Sequence, residues 1–262
     1  MHIIIIFIFG LMVGSFLNAV IHRLKVNESI VFDRSRCVHC RHTLGTIDLL
    51  PLVSFIMLSG RCRYCRKPIS WQYPAVEALT GLIFVLAALK NPYVLSFNYF
   101  ETLVFSSVFL VIAAYDLKHF LILDKIVFPA VVLSLAANVY MDKAANCSLV
   151  SLHCSFMSGI VGAILISLFF LLQYIFSNGR WIGFGDVKLG LLLGSVTGIW
   201  GGVLTLILAY VTGSIVGVGL MVMGRKKMSS SLPFGTFLSI SAIITMIYGP
   251  MIIRWYAKLI GL

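Results

Sequence analysis

The sequence predicts an all-α polytopic membrane protein of about eight transmembrane helices, with one small polar insert between the first and the second. Three observations carry this. Hydrophobic residues make up 60% of the 262-residue chain, the mean hydropathy is +1.02, and only 11% of residues are charged. A water-soluble domain of this length has too little interior to hide that fraction of apolar side chains, so the expected solvent is a bilayer. The apolar residues also fall into runs near the length a span needs, about 20 residues. Finally, the basic residues are unevenly shared between the two ends of those runs.

Taken in order, the spans are expected near residues 3–21, 74–89, 101–117, 121–140, 156–176, 184–198, 201–223 and 235–253. The run from Leu189 to Met223 is too long for one crossing, and Gly198-Ile199-Trp200-Gly201-Gly202 is the natural turn within it. The first run lacks a basic start, and Arg23 and Lys25 follow it. It therefore reads as a retained anchor with its N-terminus outside, not as a cleavable signal peptide. Of the twenty Lys and Arg, this topology leaves four outside (Lys90, Lys143, Arg254 and Lys258) and sixteen on the cytoplasmic side or at its boundary. The same bias accounts for the net charge of +11. The basic residues orient the helices and face anionic lipid headgroups, so membrane lipids are expected partners and nucleic acid is not. No internal repeat or low-complexity linker is evident, and nothing in the chain indicates an oligomeric state.

Residues 22–73 are the one change in composition, holding nine Lys/Arg and four cysteines. The expected organisation is a first transmembrane helix over 1–21, this cytoplasmic insert over 22–73, and a membrane core over 74–262. The insert is too short to build a good core unaided. Cys37-Val38-His39-Cys40 and Cys62-Arg63-Tyr64-Cys65 supply the help. Each C-x-x-C bends a tight knuckle so that both sulfurs face one ion, and the pair has the spacing of a four-thiolate zinc site. Zinc adds folding free energy that so small an insert lacks. Two disulfides or free thiols are the alternatives, and a reducing cytoplasm disfavours the disulfides. His39 and His42 are substitute ligands by type, but four cysteines already complete a tetrahedron, so the zinc is expected to be structural. Cys147 and Cys154 lie in a loop placed outside, where a disulfide persists; a bridge and two unrelated thiols both stay open.

The nine acids can be sorted individually. Glu28, Asp33 and Asp48 in the insert, and Asp142 and Glu101 in or beside outside loops, are expected to be solvated surface charges. Glu77, after Tyr73-Pro74, is expected to cap the second span. Asp116, Asp124 and Asp186 remain, and the topology set by basic residues alone brings all three to one face of the membrane. The segment from Leu117 to Leu123 is expected to be the inside turn of a helical hairpin. Ionisable groups at the edge of hydrocarbon are expensive and usually functional. The bland reading pairs them with Lys118, Lys125 and Lys188, and the residues alone leave both readings open. Two carboxylates in one low-dielectric site share a proton, so one can activate water while the other donates to a scissile carbonyl. Gly183 and Gly185 would let a substrate backbone come close to Asp186.

Several motifs, in order along nearly the whole chain, resemble the type IV prepilin peptidase family of GxGD membrane aspartyl proteases. They begin with Gly14-Ser15-Phe16-Leu17-Asn18-Ala19-Val20-Ile21-His22-Arg23-Leu24. Arg34 to Cys40, Asp48 to Leu52, Gly60 to Cys65 and Tyr73 to Glu77 follow. Asp116 and Asp124 reproduce a pair of aspartates eight residues apart, Gly183 to Lys188 reproduces G-x-G-D-x-K, and Pro233-Phe234-Gly235 matches a P-F-G near the last span. Leu123, Gln72, Lys25 and Thr236 stand where the family usually has Pro, Arg, Pro and Pro. The resemblance implies that Asp116 and Asp186 are the catalytic pair and that Asp124 is recurrent but noncatalytic. It implies cleavage of the short basic leader of prepilins and pseudopilins after a glycine, at the cytoplasmic face of the bacterial inner membrane. Methylation of the new N-terminus by S-adenosylmethionine is implied as the second step, and the cysteine insert is associated with it. No residues are assigned to bind S-adenosylmethionine. Gly14 and Asn18 read either as helix-packing residues or as part of a site, and packing is the favoured reading.

Two other classes of function compete with this one. A noncatalytic membrane scaffold of a pilus or secretion apparatus would use the zinc insert for docking. A transporter would carry its acids near mid-bilayer and repeat its helical halves, and neither pattern is present.

Overall fold

A computed structural model describes residues 2–26, 34–91, 93, 96–148, 151–224 and 232–259. Glu28 and Asp33 lie outside the described residues. The described secondary structure is helical: α1 (His2–Val26), α2 (Val53–Met57), α3 (Gln72–Lys90), α4 (Phe97–His119), α5 (Asp124–Ala144), α6 (Ser155–Ser177), α7 (Phe184–Val222) and α8 (Phe234–Leu259), with a short 3₁₀ turn at Ile47–Leu49. Among the described residues, all of these but α2 and the 3₁₀ turn are long and apolar enough to cross a membrane, which makes seven candidate spans. The chain divides into two compact units, Met1–Ala114 and Tyr115–Leu262.

In the first unit, α1 lies against α3 with almost no side chain between them. A Cβ added to Gly10 would come within 2.7 Å of Gly81 Cα, and one added to Gly14 within 2.7 Å of Glu77 Cα. Helices in lipid gain little from hydrophobic contrast, so close backbone approach at small residues supplies the dispersion contacts. Asn18, buried in the same seam, donates from Nδ2 to the Tyr73 carbonyl at 2.9 Å. Both residues thus lie in the seam where α1 and α3 pack. Gly14→Val should force the helices apart and destabilise the protein by about 1–3 kcal/mol. A lower unfolding midpoint in detergent is the expected readout. Farther along the same unit, Phe84, Ala87, Tyr99 and Leu103 form a buried cluster that joins α3 to the start of α4.

Glu77 does not cap its own helix. Its carboxylate is buried and accepts from the Leu52 N–H at 2.9 Å, tying the insert to the second turn of α3. Leu52 needs that external partner because its φ of 57° takes it out of the helical ladder.

In the second unit, α7 has 39 residues, about 58 Å if it were straight and roughly twice a hydrocarbon core. It is not straight. Ser167 Oγ donates to the Val187 carbonyl, Ser158 Oγ accepts from the Ile199 N–H, and Gln173 Oε1 accepts from the Tyr210 hydroxyl. The partners on α6 descend and then ascend, so α7 doubles back between Val187 and Tyr210. The reversal sits at Gly198, whose φ of 67° and ψ of −170° suit only glycine. Among the described residues the seven candidate spans therefore make eight helical runs, with the turn where the sequence places it.

Polar pairs stitch the runs together in the apolar layer. Ser134 Oγ meets Ser195 Oγ at 2.7 Å, Asn138 Nδ2 donates to the Ser195 carbonyl at 2.9 Å, and Thr205 meets Thr245 at 3.0 Å. The loop between α5 and α6 holds a disulfide, Cys147–Cys154, with the Cα atoms 6.0 Å apart. Beside it, Asp142 departs from its expected solvated role. It is only 2% exposed and accepts from the Ser155 and Phe156 N–H groups, both at 2.8 Å. Those are orphan donors at the start of α6, where a carboxylate is favoured twice, by hydrogen bonding and by the helix dipole. Glu101, also expected in solvent, is half-buried.

Candidate active site

Asp116 lies in the last turn of α4, where Phe120, with φ of 54°, breaks the helix and lets the chain turn into α5. Its side chain is 5% exposed. Two donors from the start of α8 converge on one oxygen: Thr236 N–H at 2.8 Å and Thr236 Oγ1 at 3.1 Å, both to Asp116 Oδ2. Asp186, 7% exposed, is the third residue of α7 and reaches back so that its Oδ2 accepts from the Gly183 N–H at 3.2 Å. A carboxylate there satisfies an orphan donor of the first helical turn. In each acid one oxygen is held by backbone, and Oδ1 of each carries no hydrogen bond among the described residues.

Ile122, in the turn after Asp116, joins the two acids. A Cβ on Gly185 would lie 3.2 Å from Ile122 Cβ; one on Gly235 would lie 3.0 Å from Ile122 Cδ1 and 3.0 Å from Asp116 Oδ2. Both glycines are therefore small because Ile122 and Asp116 occupy the space a side chain would take. Asp116 and Asp186 are close enough to act on one another electrostatically. Tyr210, held by Gln173 and packed at a tilt against Phe234 with ring centroids 5.0 Å apart, is also within electrostatic reach of Asp186.

Asp124 stands apart from this pair. It is exposed, and Lys188 Nζ donates to both of its oxygens at 2.7 and 2.8 Å. Lys188 also lies 5.3 Å from the Phe184 ring centroid. The bland reading of neutralised interfacial acids thus holds for Asp124. Among the described residues, neither Asp116 nor Asp186 has such an ion pair. Thr236, Ile122 and Tyr210 are site residues that sequence reasoning did not assign. Thr236 had a signal, since it directly follows Pro233-Phe234-Gly235.

The four cysteines of the insert gather as the spacing predicts. Cys37, Cys40, Cys62 and Cys65 place their sulfurs within 4.8 Å of one another. The two knuckles repeat the same hydrogen bonds: Cys37 N–H to His42 O and Arg41 N–H to Cys37 O, then Cys62 N–H to Lys67 O and Arg66 N–H to Cys62 O, all 2.9 Å. Arg41 and Arg66 close the knuckles with φ of 58° and 56°. Burial pushes the Cys37 thiol up, but the Cys40 and His39 backbone and the neighbouring thiols outweigh it and bring it down to about 7. The backbone at Lys67 pulls the Cys65 thiol down, and burial with the other three thiols takes it up to about 11. Four thiols this close resist ionising together as bare anions, and a dication is what would let them do so. His42 is not among them; its ring stacks on Tyr64 at 3.7 Å. Tyr64 and Arg63 in turn hold Asp48, at 3.2 and 2.7 Å.

Residues 8–91 match the bacterial peptidase A24 N-terminal domain, and residues 103–218 match the type IV leader peptidase family. A prepilin leader peptidase/N-methyltransferase of Bacillus subtilis is 30% identical over 97% of this chain and 98% of its own. Similar proteins of the same description occur in Aeromonas hydrophila, at 30% identity over 96% of this chain and 92% of the relative, and in Legionella pneumophila, at 28% over 97% and 93%. No solved structure matches. With both domain models in order and a relative aligned end to end, this chain belongs to the type IV leader peptidase family.

Proposed function

We propose that the protein is a membrane aspartic endopeptidase that removes the basic leader from prepilins or pseudopilins and then methylates the new N-terminus. Its working face is the cytoplasmic side of the bacterial inner membrane, with the N-terminus of α1 outside. The observation that carries the peptidase half is the pair Asp116 and Asp186, buried, interacting and with no ion pair among the described residues, while Asp124 is taken by Lys188.

Like charges in one low-dielectric site cannot both persist, so the pair works as one carboxylate and one carboxylic acid. The carboxylate takes a proton from water as the water oxygen bonds to the scissile carbonyl carbon. The acid gives its proton to the carbonyl oxygen. As the diol collapses, the aspartate that took the proton from water gives it to the departing amine and the C–N bond breaks. A diol hydroxyl passes its proton to the other aspartate, which restores the pair. Thr236 and Gly183 fix one oxygen of each acid, so the other oxygens face the water and the substrate. Thr236→Val removes one hydrogen bond to a carboxyl group, an effect of about 1.5–3 kcal/mol. It should lower kcat by roughly 10–100-fold with KM little changed, and Thr236→Ser should restore most of it.

S-adenosylmethionine is the methyl donor and enters as a co-substrate. The Cys37, Cys40, Cys62 and Cys65 thiolates would hold zinc, whose role would be to fold the insert. Incubating the purified protein with a prepilin and S-adenosylmethionine should yield a mature chain with one added methyl at its N-terminus by mass spectrometry. A prepilin of unchanged mass overturns the proposal.

A further inference from the structure

The insert carries an apolar surface that neither the peptidase site nor the zinc cluster uses. Helix α2 exposes Val53 at 49%, Ile56 at 73% and Met57 at 74%, residues spaced i, i+3 and i+4 on one face. Helices normally turn such a stripe inward; here it is the outward face. Trp71, 77% exposed, continues it and packs edge-on against Phe55 of α2 at 5.1 Å between ring centroids.

Two observations say what covers this face. The first is depth. Trp71 directly precedes α3, a candidate span, and the Leu52 N–H just before α2 is bonded to Glu77. Glu77 lies about 7.5 Å along the helix axis beyond Gln72, so α2 begins level with the first turns of the span and not above it. The second is the surrounding charge. Arg61, Arg66 and Lys67 are exposed on the knuckle that follows α2, and Arg61 lines one groove with Leu52, Phe55, Ile56 and Trp71. An apolar stripe at the level of a span's end, beside basic groups and a tryptophan, has the chemistry of the headgroup–acyl boundary.

We propose that α2 and Trp71 form an interfacial wedge that seats the insert in the lipid at the N-terminal end of α3. Val53, Ile56 and Met57 enter the acyl boundary, and Arg61, Arg66 and Lys67 meet anionic headgroups above it. The wedge holds the cysteine cluster against the membrane surface instead of leaving it on a free stalk. The proposal does not depend on the peptidase reading.

The test uses the full chain in vesicles whose lipids carry brominated acyl chains. Two single-tryptophan proteins are made: one keeps Trp71 with Trp181, Trp200 and Trp255 replaced by Phe. The other replaces all four tryptophans by Phe and adds Met57→Trp. Both should lose most of their emission to the brominated lipid, and adding Val53→Asp with Ile56→Asp should restore the Met57→Trp signal. Helix content by circular dichroism confirms folding, and if Met57→Trp does not fold the substitute probe is Ile56→Trp, with Val53→Asp and Met57→Asp as its disrupting pair. Quenching of Trp71 without quenching of the α2 probe overturns the proposal, because α2 then stands in water. An α2 probe insensitive to lipid but altered by a prepilin also overturns it, and gives the face to a protein partner.

Discussion

Asp116→Asn and Asp186→Asn are each expected to abolish leader cleavage, with a loss on the order of 10⁴-fold or more in kcat. Asparagine keeps the shape and the hydrogen-bond contacts of either acid but can neither hold nor release the shared proton. Asp116→Asn leaves Thr236 its acceptor, and Asp186→Asn leaves Gly183 N–H its partner, so both variants should fold. Asp124→Asn is the matched control. It breaks an exposed ion pair worth about 1 kcal/mol or less, so its activity should fall no more than roughly fivefold. The measurement is cleavage of a purified prepilin in detergent by the three variants beside the unaltered protein. Full cutting by either Asp116→Asn or Asp186→Asn would sink the two-aspartate mechanism. Loss of cutting in Asp124→Asn equal to theirs would remove the distinction drawn between paired and unpaired acids.

Cys37→Ser and Cys62→Ser are expected to strip the insert of metal. Each takes one ligand from a cluster whose sulfurs lie within 4.8 Å of one another. Structural zinc supplies about 10–16 kcal/mol of apparent binding free energy to small zinc-finger peptides. Elemental analysis of the protein purified under reducing conditions should find about one zinc per chain. The serine variants should hold much less, and protease should then cut between residues 34 and 71. Absence of metal from the unaltered protein would refute the assignment. Retained cleavage of prepilins by the metal-free variants would still leave Asp116 and Asp186 intact as the peptidase pair, since zinc has no step in that chemistry.

Some of this was legible from the chain and some was not, for identifiable reasons. The apolar runs predict helices at nearly the positions where they stand, because a span must satisfy its backbone within itself and so writes its length into composition. Gly198 was legible for the same reason: a run too long for one crossing needs a residue that tolerates positive φ. The cysteine knuckles were legible because C-x-x-C geometry is local. Asp142 was misread as solvated because its value depends on the start of a different helix, where Ser155 and Phe156 present unpaired N–H groups. Glu77 was misread likewise, since Leu52 became its partner only through the fold of the insert.

Sequence alone thus determined the membrane class, the family, the thiol cluster and a shortlist of three acids at one end of the helices. Tertiary structure decided which of the three are neutralised. Lys188 is two residues from Asp186 and far along the chain from Asp124, yet it pairs with Asp124. Asp186 instead turns back onto the start of its own helix, and Asp116 is met by Thr236. Charge pairing is set by where helix ends converge, and chain separation carries no information about that convergence.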